Sequence, residues 1–112
     1  MKEILAIIRE NKVFQTKLIL EEAGFPAFTC RKVFGRGKKP VDFLTYDNTI
    51  MGSKMLAKRA FILIVNDDDI EKVIKIFMDV NSTGNPGDGK IFVMPIMESY
   101  RVSTGEVEAN SY

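Results

Sequence analysis

Two apolar segments, one an unbroken run and the other spaced at a helical period, joined only by Asn66 and a cluster of acids, constrain the fold of this chain more than any other feature. Ala60 to Val65 (AFILIV) is unbroken apolar sequence of strand length. The segment NDDDIEKVIKIFMDVNS follows it and puts Ile70, Val73, Ile74, Phe77 and Met78 at i, i+3, i+4, i+7 and i+8. That spacing predicts an amphipathic helix. Asp68 and Glu71 have capping-box spacing, with Asp in place of Ser or Thr. Acids 67 to 69 lie at the positive end of the helix dipole, so they read as capping groups rather than metal ligands.

The same alternation occupies the first half. Ile4 to Ile8 is a β-branched run of strand length. Asn11 is a candidate cap for a helix over KVFQTKLILEEAG, with Val13, Phe14, Leu18, Ile19 and Ala23 as its apolar face and Gly24 as its stop. Phe25 to Phe34 reads as a second strand, broken by Gly35 and Gly37. Residues 38 to 55 show neither period and read as a long loop, of the kind that is functional or mobile. STGNPGDG (82 to 89) reads as a loop, and KIFVMPIM as a fourth strand that Pro95 confines to an edge or an end. The remainder reads as a polar tail, 104 to 112, preceded by a short extended stretch from Ser99 to Ser103. The order is β-α-β-β-α-β. It predicts one domain over residues 1 to 112 with a ferredoxin-like α+β fold: a four-stranded antiparallel sheet with two helices on one face. Many functions share that fold, so function has to come from the sites.

Composition narrows the classes. The 112 residues are 46% apolar and 28% charged with a net charge of +1, which is ordinary for a soluble domain and rules out a whole-molecule polyelectrolyte binder. Histidine is absent, so neither a Ser-His-Asp nor a Cys-His nucleophile can be assembled from this chain. That points away from an enzyme. The lone Cys30 cannot form an internal disulfide and reads as a small apolar strand residue. No apolar run approaches the roughly 20 residues that span a bilayer, and MKEILAIIRE becomes charged too soon for a signal peptide. The expected location is cytoplasmic, with no transmembrane segment.

Three groups of residues carry possible chemistry. GRGK (35 to 38) and GDGK (87 to 90) each place a lysine just past two glycines. Glycines let backbone N–H groups turn toward an anion, and the lysine adds a point charge. Neither is a Walker A loop, and each alone reads sooner as a turn with a solvated lysine than as a cradle. Together with Arg9, Lys58 and Arg101 at other element ends, they suggest a small polyanion such as a nucleotide. Second, Arg31, Lys32, Arg36, Lys38 and Lys39 fall within nine residues that contain no acid, near Phe28 and Phe34. A ferredoxin-like nucleic-acid module would use such a stretch, but the aromatic pattern of RNA recognition motifs is missing from KIFVMPIM and KRAFILIV. Third, the long loop carries Phe43, Leu44, Tyr46, Asn48, Ile50 and Met51. It reads as a partner-binding arm, or as a segment whose apolar side chains fold back on the body.

These segments match a known pattern. AIIR, EEAGFPAFT, VFGRGK, and TGNPGDGKIFV followed by RVSTGE resemble the PII nitrogen-regulatory signal-transduction family from Met1 to about Glu106. The last two are close to its signature, T-G-x-x-G-D-G-K-I-F then R-x-R-T-G-E. The resemblance implies a non-enzymatic sensor, a homotrimer or a hetero-oligomer with a second PII-like subunit. Such a sensor binds ATP or ADP between subunits, senses 2-oxoglutarate, with Mg²⁺ as a possible companion, and docks on targets through the long loop. It implies nucleotide contacts from Phe28, Thr29, Gly35, Gly37, Lys38, Ile64, Gly87, Asp88, Gly89, Lys90, Arg101 and Ser103. It implies 2-oxoglutarate contacts from Arg9, Gly37, Lys39 and Lys58, and target contacts from Phe43, Tyr46, Asn48, Ile50 and Met51. The sequence departs from the pattern at Lys38 (often Arg), at Lys39 (often a Gln that helps hold Mg²⁺) and at Ser103 (the second Arg of R-x-R). Met51 stands where many bacterial members carry a modifiable tyrosine. The phrasing is most similar to the archaeal PII-like proteins that regulate nitrogenase, which implies dinitrogenase as the target. The alternative target is an ammonium transporter.

Overall fold

The computed structural model describes residues 1–36, 42–44, 50–53 and 55–108; for 42–44 and 50–53 it describes the backbone. The elements in chain order are β1 (Lys2–Arg9), α1 (Val13–Glu22), β2 (Thr29–Gly35), β3 (Asp42–Leu44), β4 (Ile50–Ser53), β5 (Leu56–Val65), α2 (Ile70–Asn81) and β6 (Gly89–Pro95). Four strands form one sheet in the order β2-β5-β1-β6, antiparallel throughout. This is the ferredoxin-like arrangement, with the β3–β4 ribbon inserted between β2 and β5. The predicted periods overlooked that ribbon, whose register slips between Asp42 and Leu44.

Burial in β1 alternates along the strand, with Ile4, Ala6 and Ile8 fully covered. They share the helix-side core with Phe61, Leu63, Val65, Leu20, Val73 and Phe77. Phe61 is its centre, edge-on to Phe77 at 5.6 Å and tilted against Phe28 at 5.3 Å. Among the described residues, no helix covers the opposite sheet face. Cross-strand register places Leu5, Ile7, Ala60, Ile62, Phe92 and Met94 there.

Several local expectations change. α1 turns Thr16 and Leu20 into the core, while Phe14, Leu18 and Ile19 are exposed. Thr16 tolerates burial because its hydroxyl donates to Lys12 O (2.8 Å) and accepts from Asn81 Nδ2 (3.2 Å). Neither helix has a side-chain cap: α1 follows a 3₁₀ turn over Glu10–Lys12, and α2 one over Asp67–Asp69. Asp67 instead accepts from Lys2 Nζ (3.0 Å) and from the Met1 ammonium (2.8 Å). On α2, Met78 of the predicted face is exposed and the buried Asn81 extends the stripe. The α1 stop is as expected. Gly24 has φ +92, with Gly24 N–H donating to Glu21 O and Phe25 N–H to Leu20 O, a Schellman ending. That ending delays β2 to Thr29, so Phe25 to Phe28 are not strand. Pro95 ends β6, which is an edge strand.

Candidate functional site

The register of the central strands assembles the first half of the site. Arg9 pairs with Lys58 at the last position of β1, and Ile8 pairs with Gly89 at the first of β6. The 82–89 loop is thereby laid against two cations. Arg9 Nη2 donates to Pro86 O (2.9 Å) and lies 3.3 Å from Asp88 Oδ1, and Lys58 Nζ donates to Gly87 O. Burial lowers the Lys58 pKa and repulsion from Arg9 lowers it further, while Asp88 opposes the shift.

Asp88 is the internal clamp of the loop. Its carboxylate accepts from Thr83 Oγ1, from Thr83 N–H (2.7 Å) and from Gly84 N–H (3.1 Å). Those bonds, led by the Thr83 hydroxyl, hold its pKa down to about 2. Asp88 therefore holds the cradle in shape through Thr83 and Gly84.

The two glycines of GDGK have different reasons. Gly87, at φ +94, lies where a Cβ would sit 3.4 Å from Arg9 Nη2 and 3.6 Å from Lys58 Nζ. Gly89, at φ +121, lies where a Cβ would be 1.9 Å from Ile7 O. Glycine at 89 is thus demanded by close strand approach. Lys90 is exposed and pairs with Ile7, on the same face as Arg9; its Nζ lies 5.6 Å from the Phe92 ring centroid. Gly35 ends β2 opposite Leu56, at the same end of the sheet as Arg9 and Lys58.

Phe28, Thr29 and Ile64 gather elsewhere, in a shallow cleft with Pro26, Ala27 and Ile62. Lys58 and Ile64 are six positions apart on β5, about 20 Å at the rise of an extended strand. One chain therefore does not unite its basic cradle with this apolar cleft. Arg101 and Ser103 lie in a turn beyond β6, where Arg101 Nε is 2.6 Å from Glu108 Oε1. Gly37, Lys38, Lys39, Tyr46 and Asn48 lie outside the described residues, as do the side chains of Phe43, Ile50 and Met51. A groove runs between α2 and β6. Ile74, Phe77, Met78, Ile91 and Val93 make it mostly apolar, and it meets the cradle only at Asp88, Gly89 and Lys90.

Sequence reasoning missed Thr83, Pro86 and Glu108. The first had a readable signal, because Thr83 and Asp88 bracket a GNPG turn that their side chains close. Among the described residues, the basic stretch is divided between surfaces. Strand alternation sends Arg31 and Lys32 to opposite faces, and Lys32 lies 3.6 Å from Glu10. The only aromatic of the two central strands, Phe61, is buried on the helix side.

The family profile described as "Nitrogen regulatory protein P-II" matches residues 1–106. The chain belongs to the P-II family. Among P-II relatives, a "Nitrogen fixation nifHD region glnB-like protein 2" of Methanococcus maripaludis is 44% identical over an alignment covering 95% of each chain. A "GlnB-like protein 1" of the same region in Methanothermococcus thermolithotrophicus is 43% identical, over 95% of this chain and 97% of the relative. The crystal structure of Arabidopsis thaliana PII bound to citrate superposes with a TM-score of 0.75 at 30% identity, over 98% of this chain and 87% of that one. The chain is a P-II signal-transduction protein of ferredoxin-like fold. No helix among the described residues is long and apolar enough to cross a membrane.

Proposed function

We propose that this protein is a non-enzymatic nitrogen sensor that binds ATP or ADP between subunits, responds to 2-oxoglutarate, and regulates nitrogenase through the 38–55 loop. The observation that carries the reading is the division of the site. Arg9, Lys58, Gly87 and Lys90 form a cationic cradle at one end of the sheet. Phe28, Thr29 and Ile64 form an apolar cleft about 20 Å away along β5. A nucleotide has both characters, a polyanionic chain and a flat apolar base. A second copy that brought its cleft to this cradle would complete the site. The helix-free face, apolar through Leu5, Ile62, Phe92 and Met94, is the surface on which copies would pack, as a homotrimer or with a second P-II subunit.

Lys58 and Arg9 suit the carboxylates of 2-oxoglutarate. The citrate bound to the Arabidopsis thaliana PII is likewise a small polycarboxylate. The nifHD-region names of the archaeal relatives favour nitrogenase over an ammonium transporter as the target. Ligands act on such a target only through different affinities for the free and docked states.

The test is calorimetric titration of ATP with Mg²⁺, with and without 2-oxoglutarate. ATP binds, binding tightens when 2-oxoglutarate is present, and Lys90→Ala weakens it. ATP binding that ignores 2-oxoglutarate would remove this chain from the sensing step, and absence of ATP binding would overturn the reading.

A further inference from the structure

The chain beyond β6 folds back on itself. Tyr100 and Val107 form an isolated antiparallel bridge. Arg101 N–H donates to Glu106 O at 2.8 Å, Gly105 N–H to Arg101 O at 2.7 Å, and Glu108 N–H to Ser99 O at 2.8 Å. Gly105, at φ +73, makes the reversal possible. The closed turn brings the Glu108 carboxylate to 2.6 Å from Arg101 Nε. Glu108 is the less exposed of the two, at 25% against 58% for Arg101, so the turn fixes the carboxylate while the guanidinium keeps a face toward solvent. The neighbouring acid Glu98 is engaged elsewhere, accepting from the Tyr100 hydroxyl at 2.7 Å. The P-II profile match ends at residue 106, two positions before Glu108.

A carboxylate and a phosphate oxygen are alternative acceptors for the same guanidinium edge. We propose that Glu108 is an intramolecular competitor for the ligand phosphate at Arg101. The tail turn holds Arg101 on a carboxylate, and an incoming nucleotide must displace Glu108 to use that guanidinium. The latch rests on the nucleotide reading above and adds to it a device that lowers affinity and is carried by this chain's own C-terminal segment.

The experiment is ATP titration of the full chain, comparing wild type with Glu108→Gln, Arg101→Ala and the double variant, at low and high salt. Exposed ion pairs are weak, so Glu108→Gln tightens ATP binding by about two- to fivefold. Arg101→Ala and the double variant bind alike, because without the guanidinium there is nothing to compete for. The gain from Glu108→Gln shrinks at high salt. Equal ATP affinity in wild type and Glu108→Gln overturns the latch and leaves the nucleotide site standing. So does a gain that persists in the Arg101→Ala background. Binding by Glu108→Gln alone supports the latch in its strongest form. Failure of every variant to bind ATP removes the nucleotide site and the latch together.

Discussion

Gly87, Asp88 and Gly89 are consecutive, and each is set by a different neighbour. Gly87 leaves room for Arg9 and Lys58, Asp88 ties the loop to Thr83, and Gly89 lets the β6 backbone lie against Ile7 O. Gly89→Ala should destabilise the fold by more than about 2 kcal/mol, combining left-handed strain with a backbone collision. Gly84→Ala, at φ +80 with open space around it, carries the strain alone and should cost about 1 kcal/mol. Urea unfolding at fixed protein concentration compares them, and equal losses would show that β1 does not press on Gly89. Asp88 makes a second prediction. Its folded pKa is about 2, below its ordinary 3.8, so the carboxylate's contribution is complete above the ordinary value and fades as pH falls through the folded one. The amide signals of Thr83 and Gly84 should shift across that acid window, and Asp88→Asn should flatten the response. A wild-type response centred at or above 3.8 would refute the clamp.

At the scale of elements, α2 was legible because burial on one face leaves a helical period in the sequence, and β5 because apolar residues on both of its faces make an unbroken run of strand length. α1 misled because its apolar residues go round the helix. Phe14 is 78% exposed, and the inward turn uses Thr16, a polar residue that an apolar pattern does not count. The corrected face has a consequence. Leu20→Ala should destabilise by about 2–5 kcal/mol, whereas Leu18→Ala should cost less than about 0.5 kcal/mol in the isolated chain. Thermal unfolding of dilute samples measures both, and the reverse order would restore the face read from the sequence. The β3–β4 ribbon was illegible for another reason. It pairs two segments of three and four residues across a slipped register, too short to show a period.

For the whole molecule, the decisive fact is that the cationic cradle and the apolar cleft stand apart in one chain. A site shared between copies can be complemented. Lys90→Ala and Ile64→Ala chains, each weakened for ATP alone, should regain a fraction of wild-type sites when refolded together. Mixed samples no better than the separate variants would place Lys90 and Ile64 in one chain's contribution.

Readable from the sequence were the order of the four long strands and two helices, the helix stop at Gly24, the limit that Pro95 sets on the last strand and the motifs that carry the family. All of these are local, written within a few residues by burial, backbone freedom or a missing N–H. The tertiary structure alone decided which cation meets which loop. Arg9 and Pro86 are 77 positions apart, and nothing in either neighbourhood announces the other. Their meeting follows from one register, in which β1 pairs on one side with β5 and on the other with β6. A shift of one residue would turn the Ile4, Ala6 and Ile8 face out of the core. Core burial therefore fixes the register, and the register places Arg9 beside Lys58 and under the loop.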